Sequence, residues 1–131
     1  MSRRKAIRPT NGELAILSIL WRLGPSTVRE VHDALREGRS EPVGYTTVLK
    51  LLQIMSEKGL ATRDARTRTH VYAAAAPEAT TRGHLVSDLV DRAFGGSSLA
   101  LVLQALSTTP ASPAELAQIR RLLDERKGDK R

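Results

Sequence analysis

The sequence predicts a mostly α-helical chain with one small β-hairpin, on three grounds. Apolar residues recur at helical spacing in three segments before Gly59, each bounded by capping or breaking residues. Directly after Gly59 the period falls to two over a pair of short runs. Beyond Pro77 the helical period returns and continues almost to the C-terminus.

The first helix is predicted to open at Thr10-Asn11-Gly12-Glu13, where a threonine three residues before a glutamate can exchange hydrogen bonds with the free amides of a helix start. Leu14, Leu17, Leu20 and Trp21 follow at helical spacing, and Gly24-Pro25 ends the run. Thr27-Val28-Arg29-Glu30 repeats the box and starts a second helix with Val28, Val31, Ala34 and Leu35 on one side. It stops near Gly38, in the loop Glu37-Gly38-Arg39-Ser40-Glu41-Pro42. A third helix is predicted from Tyr45 to Lys58, striped by Val48, Leu51, Leu52 and Met55, with Gly59 where a left-handed cap is needed. Residues 60–64 and 69–73 then alternate as two strands around a turn at 65–68. Three helices followed by a hairpin, the third helix adjoining it, is the order of a winged helix-turn-helix.

The remaining segment carries three apolar stripes. Leu85, Val86, Leu89, Val90, Ala93 and Phe94 end at Gly95-Gly96; Leu99, Val102, Leu103 and Leu106 end at Pro110. Ser112-Pro113-Ala114-Glu115 is a third capping box, with proline at the first helical position, and opens a helix bearing Leu116, Ile119, Leu122 and Leu123. Helices this short bury too little surface alone. The expectation is a winged helix over residues 1–76 and a helical dimerisation domain over 77–131. The side chains expected to close against a second copy are Leu85, Leu89, Phe94, Leu99, Val102, Leu103, Leu106, Leu116, Ile119 and Leu123.

Composition narrows the function classes. The 131 residues and 14.3 kDa fit one domain or two very small ones. Without a cysteine the chain has no disulfide framework, thiolate nucleophile or cysteine-based metal site. No apolar run approaches the roughly 20 residues of a bilayer span, and no signal-peptide core follows the basic N-terminus, so a cytoplasmic protein without a membrane partner is expected. The net charge is +7 and is unevenly spread: residues 1–76 hold 13 Lys/Arg against 7 Asp/Glu, residues 77–131 hold 8 against 7. A basic first half suits a polyanion. With Trp21, Tyr45, Tyr72 and Phe94 as the only aromatics, base stacking on a single strand is poorly served and duplex is the better partner.

In a winged helix-turn-helix the third helix enters the major groove with its N-terminal residues at base edges. If its apolar stripe faces the core, Thr46, Thr47, Lys50, Gln53, Ile54 and Glu57 lie on the other side. Thr46 and Thr47 have short hydroxyls for close approach and methyls for thymine; Lys50 reaches guanine acceptors or a phosphate. These three are the expected base contacts, and Tyr45, Arg63, Arg66 and Arg68 the expected backbone contacts, with His70 in the same hairpin. Arg3, Arg4, Lys5 and Arg8 form a basic arm ahead of the first helix. No catalytic constellation is visible. His32, His70 and His84 stand in separate elements without ligand spacing, and Gly95-Gly96-Ser97-Ser98 is not a nucleophile elbow. Neither enzyme activity, cofactor nor metal is expected.

Glu13-Leu14-Ala15-Ile16-Leu17 leading to Leu20-Trp21, Thr27-Val28-Arg29-Glu30-Val31-His32, Tyr45-Thr46-Thr47-Val48-Leu49, Lys58-Gly59-Leu60 and His70-Val71-Tyr72 together resemble the penicillinase-repressor (BlaI/MecI) family of bacterial transcription factors, over positions 11–127. The resemblance implies a homodimer placing two winged helices on a pseudo-palindromic operator with TACA/TGTA-type half-sites, blocking transcription, and an inducing protease as a further partner. Two departures stand out. The best-known members are cut at an Asn-Phe bond just after a Gly-Gly, whereas this chain reads Gly95-Gly96-Ser97-Ser98-Leu99. The copper-responsive members carry a C-terminal cysteine cluster, which is missing here.

A second reading, of a different class, is a winged-helix module that docks a protein and whose basic face gives only non-specific DNA affinity. A third keeps DNA binding and adds a small-molecule pocket, for which the few aromatics offer little lining.

Overall fold

The computed structural model describes residues 8–38 and 43–128. Arg3, Arg4 and Lys5 of the basic arm, and positions 39–42 of the loop between the second and third helices, lie outside the described residues. The chain divides into two compact units, 1–86 and 87–131.

The first unit is built on three helices, α1 (Asn11–Leu23), α2 (Val28–Glu37) and α3 (Tyr45–Lys58), and three short strands, β1 (Ser26–Thr27), β2 (Ala61–Asp64) and β3 (Val71–Ala74). Both capping boxes form. Thr10 Oγ1 accepts from Glu13 N at 3.2 Å while Glu13 Oε1 accepts from Thr10 N at 2.9 Å, and Thr27 and Glu30 repeat this at 3.1 and 2.9 Å. Gly59 ends α3 in the left-handed region at φ 87°, where a β-carbon would be strained.

The three strands form one antiparallel sheet in the order β1-β3-β2, with β3 central. The sequence predicts only the hairpin, β2 with β3. A two-residue strand is too short to carry a period, and Ser26-Thr27 reads only as a helix start. The hairpin is also shorter at its two leading edges than the alternation implies. Leu60 gives its amide to Met55 O at 2.9 Å, closing α3, and joins the ladder only by accepting from Ala75 N at 2.9 Å. Pairing on the returning strand begins at Val71, opposite Asp64 and Thr27.

The core draws on the three helices and two of the three strands: Ile16, Leu17, Ile19 and Leu20 of α1, Val28, Val31 and Leu35 of α2, Val48, Leu52 and Met55 of α3, Ala61 of β2 and Tyr72 of β3. α1 buries a wider arc than Leu14, Leu17 and Leu20 alone suggest, because it packs against α2, α3 and β3 together. Leu14 and Trp21 flank that arc half-buried. Trp21 Nε1 donates to Ala76 O at 2.9 Å, pinning the segment after β3 to the end of α1.

Helices α4 (Glu78–Ala93), α5 (Ser98–Thr108) and α6 (Pro113–Gly128) complete the chain. Gly95 and Gly96, both at positive φ (57° and 82°), turn it sharply after α4, and Gly96 N donates to Val90 O at 2.9 Å. Ser97 caps α5, accepting from Ala100 N at 3.0 Å. The third capping box forms as Ser112 N to Glu115 Oε1 at 2.8 Å and Glu115 N to Ser112 Oγ at 3.1 Å. No single helix among the described residues is long and apolar enough to cross a membrane.

Candidate nucleic-acid interface

α3 is held by its buried side. Val48, Leu52 and Met55 are fully buried, which turns Thr46, Thr47, Lys50, Gln53, Ile54 and Glu57 to solvent. The far end of the helix is fixed by Lys58, whose Nζ donates to Glu13 Oε1 at 2.8 Å and Oε2 at 3.0 Å. Burial raises the Glu13 pKa. The bonds from Lys58 and Thr10 outweigh this and hold the carboxyl below its ordinary value.

The near end of α3 is fixed by α2. His32 Nε2 donates to Val43 O at 2.7 Å, two residues before the helix begins. The His32 ring meets Tyr45 edge-on at 5.9 Å, and the Arg29 guanidinium lies 5.9 Å from the centre of the same Tyr45 ring. Tyr45 itself is 44 % exposed. No side chain caps α3, whose first amides therefore lack a side-chain partner next to Thr46 and Thr47. Arg29 and His32 are missing from the expected contact residues, and their spacing is the signal that finds them. Positions three apart on α2 share a face, and both reach Tyr45.

The wing supplies Arg63 on β2 and Arg66 and Arg68 in the turn, all exposed. Their electrostatics differ. Asp64 Oδ1 accepts from the backbone N and Nε of Arg66 at 3.0 Å each, and Oδ2 accepts from its Nη2 at 2.7 Å. These bonds hold the Asp64 carboxyl down at about 2. Arg66 is thus already neutralised by a neighbour, whereas Arg63 and Arg68 make no ion pair among the described residues. Thr67 Oγ1 donates to Thr69 O at 2.6 Å and shapes the tip.

The apolar side chains expected at a dimer contact fall into two sets. Leu89, Leu99, Val102, Leu103, Leu116 and Leu123 are exposed, Leu99 by 67 % and Leu103 by 58 %. Leu85, Phe94, Leu106 and Ile119 are half-buried. Among the described residues of the second unit, Val90 is the one buried apolar side chain.

The penicillinase repressor family model matches residues 9–125. A transcriptional regulator BlaI from Mycobacterium tuberculosis is 33% identical over 115 residues, covering 86% of this chain and 80% of the relative. Among solved structures, a complex of RosR from H. salinarum superposes with a TM-score of 0.54 at 19% identity, over 92% of this chain and 90% of that one. YusO from Bacillus subtilis gives 0.50 at 17% identity, over 93% and 77%. At those identities the structural likeness speaks for the fold alone. The family match over nearly the whole chain, carried by a winged helix with an exposed, cation-flanked third helix, places this protein in the penicillinase-repressor family of transcriptional regulators.

Proposed function

We propose that the chain is a homodimeric repressor that binds a pseudo-palindromic duplex operator in the cytoplasm and blocks transcription there. The observation that carries this reading is the α3 surface. Thr46, Thr47 and Lys50 stand exposed on a helix whose two ends are locked by Lys58–Glu13 and His32–Val43. A rigid helix with short hydroxyls and one cation at its open N-terminal end suits base readout. Arg63, Arg66, Arg68 and Tyr45 surround it with groups for the phosphate backbone.

The dimer rests on the second unit. Six of its expected contact side chains are exposed leucine or valine, more bare apolar surface than a helical unit with one buried valine holds stable by itself. Closing those faces against a second copy, over a boundary expected at 76/77, joins two winged helices and doubles the contacts with DNA. Release then follows from weakening the dimer, since one protomer keeps only one half-site. An inducing protease would have to cut at something other than Asn-Phe in this stretch.

Selection of random duplex by the purified chain near physiological salt tests the reading. A two-fold symmetric motif, with half-sites spaced to bring both grooves to one face, is the expected result. Salt-sensitive binding with no enriched sequence would overturn it in favour of a protein-docking module.

A further inference from the structure

A cavity of about 520 Å³ opens between the start of α2, the start of α3 and the returning arm of the wing, lined by Arg29, Tyr45, Arg68, Thr69 and His70 with Thr27-Val28 behind them. We infer that this cavity seats one backbone phosphodiester of bound duplex, held by Arg29 of α2 together with Arg68 and His70 of the wing. The inference rests on the proposed DNA-binding function and adds a residue, Arg29, and a place on the DNA backbone to it.

Charge is the first argument. The lining has two arginines and a histidine and no carboxylate. Neither arginine has an ion-pair partner among the described residues, although Arg36, Arg66, Arg82 and Arg92 each do. Two uncompensated guanidinium groups facing one cavity repel each other until an anion enters between them. Of the acids on α2 close to Arg29 in sequence, Glu30 is engaged at Thr27 N in the capping box and Asp33 lies against Arg36 and His32. That box also takes up the amides of Thr27 and Glu30, and the charged groups lining the cavity are the side chains of Arg29, Arg68 and His70.

Preorganisation is the second. The Arg29 guanidinium sits over the Tyr45 ring at 5.9 Å, a cation–π contact that favours this placement before its fork meets phosphate oxygens. Thr69 and the Tyr45 hydroxyl add neutral donors. Position is the third. Tyr45 both lines the cavity and precedes Thr46, so an anion seated there lies next to the base-reading surface. A phosphate belonging to the duplex fits that placement, whereas a free anion would stand in the way of the duplex.

The test compares the full chain with its Arg29→Gln, His70→Gln and Arg36→Gln variants, binding selected and random duplex over a range of KCl concentrations. Arg36, exposed at the other end of α2, controls for loss of one charge. Arg29→Gln is expected to weaken both duplexes by the same factor, about tenfold, and to flatten the slope of log affinity against log salt by about 0.9. His70→Gln should weaken both several-fold, and Arg36→Gln should leave the slope unchanged. A single neutral methylphosphonate scanned along the selected site should then cost the parent protein affinity at one position per half-site where it costs Arg29→Gln nothing further. If the parent binds duplex and Arg29→Gln matches Arg36→Gln throughout, the phosphate seat is wrong while the DNA-binding function stands. If the parent binds no duplex at all, the function falls and the seat with it. If inorganic phosphate at constant ionic strength shifts the Tyr45 and His70 resonances at micromolar concentration, the cavity holds a free anion and its assignment to DNA is overturned.

Discussion

Lys58, in the last turn of α3, and Glu13, in the first turn of α1, form a two-pronged bond of 2.8 and 3.0 Å in which the glutamate side chain is almost wholly buried and the lysine side chain 35 % exposed. The same carboxylate oxygen, Oε1, accepts from Thr10 N at 2.9 Å. One side chain therefore caps α1 and fixes the axis of α3.

Removing either partner should destabilise the first unit, but unequally. Glu13→Ala loses the cap and the pair, yet leaves Lys58 free to regain water, so a loss of roughly 2–3 kcal/mol is expected. Lys58→Met leaves a buried carboxylate unpaired and should cost about 3–5 kcal/mol near neutral pH. Urea denaturation of both variants checks the order; a cheaper Lys58→Met would contradict it.

The pair also sets an acid limit. Glu13 is held below its ordinary 4.5, so its contribution is complete above pH 4.5 and is lost as pH falls through the lowered folded-state value. The melting temperature of the parent should drop toward that of Glu13→Gln below pH 4.5, the gap being widest above it. Parallel curves across that range would show that folding leaves the Glu13 pKa where it is in the unfolded chain.

Local chemistry made most of the first unit legible. Thr10-Glu13, Thr27-Glu30 and Ser112-Glu115 are complete short-range signals, and each became the cap its spacing implies. The long-range relations were hidden. Glu13 reads as a capping residue, and nothing in its spacing shows that Lys58, 45 positions away, shares it. Likewise the exposed face of α3 follows from which of its residues are apolar, whereas the meeting of Arg29 with Tyr45 depends on how α2 crosses α3. Arg66 and Asp64 were legible as charges but not as a pair, because a turn sets their geometry.

That wing pair gives the next prediction. Asp64 stays ionised down to about pH 2, so throughout the neutral range it competes with phosphate for Arg66. Asp64→Asn should free the guanidinium, raise affinity for every duplex several-fold and steepen the salt slope, while Arg68→Gln should flatten it by about 0.9. Anisotropy titrations at several salt concentrations check both; weaker binding by Asp64→Asn would mean that the pair orients Arg66 rather than masking it.

His32 should govern discrimination more than affinity. Its bond to Val43 O anchors the chain just before α3, and its ring supports Tyr45. His32→Leu keeps the bulk, removes the donor and leaves a carbonyl unpaired, for a stability loss of about 1–2 kcal/mol. With the start of α3 less firmly held, the affinity ratio between selected and random duplex should fall several-fold, and the salt slope should not move. A change in slope with the ratio intact would make His32 a phosphate contact instead.

Leu103 and Leu89 separate the two units' roles. Both are exposed, by 58 % and 46 %, so a polar replacement disturbs the packing within one protomer little. Leu103→Asp and Leu89→Asp should therefore leave the far-ultraviolet helix signal intact while lowering the sedimentation coefficient toward that of a monomer. Operator affinity should fall with it, because each protomer alone meets a single half-site, whereas random-duplex affinity per protomer should hardly change. If sedimentation is unchanged, these leucines do not form the dimer contact. If it falls while operator affinity persists, one winged helix suffices for recognition and the two-fold reading of the operator is wrong.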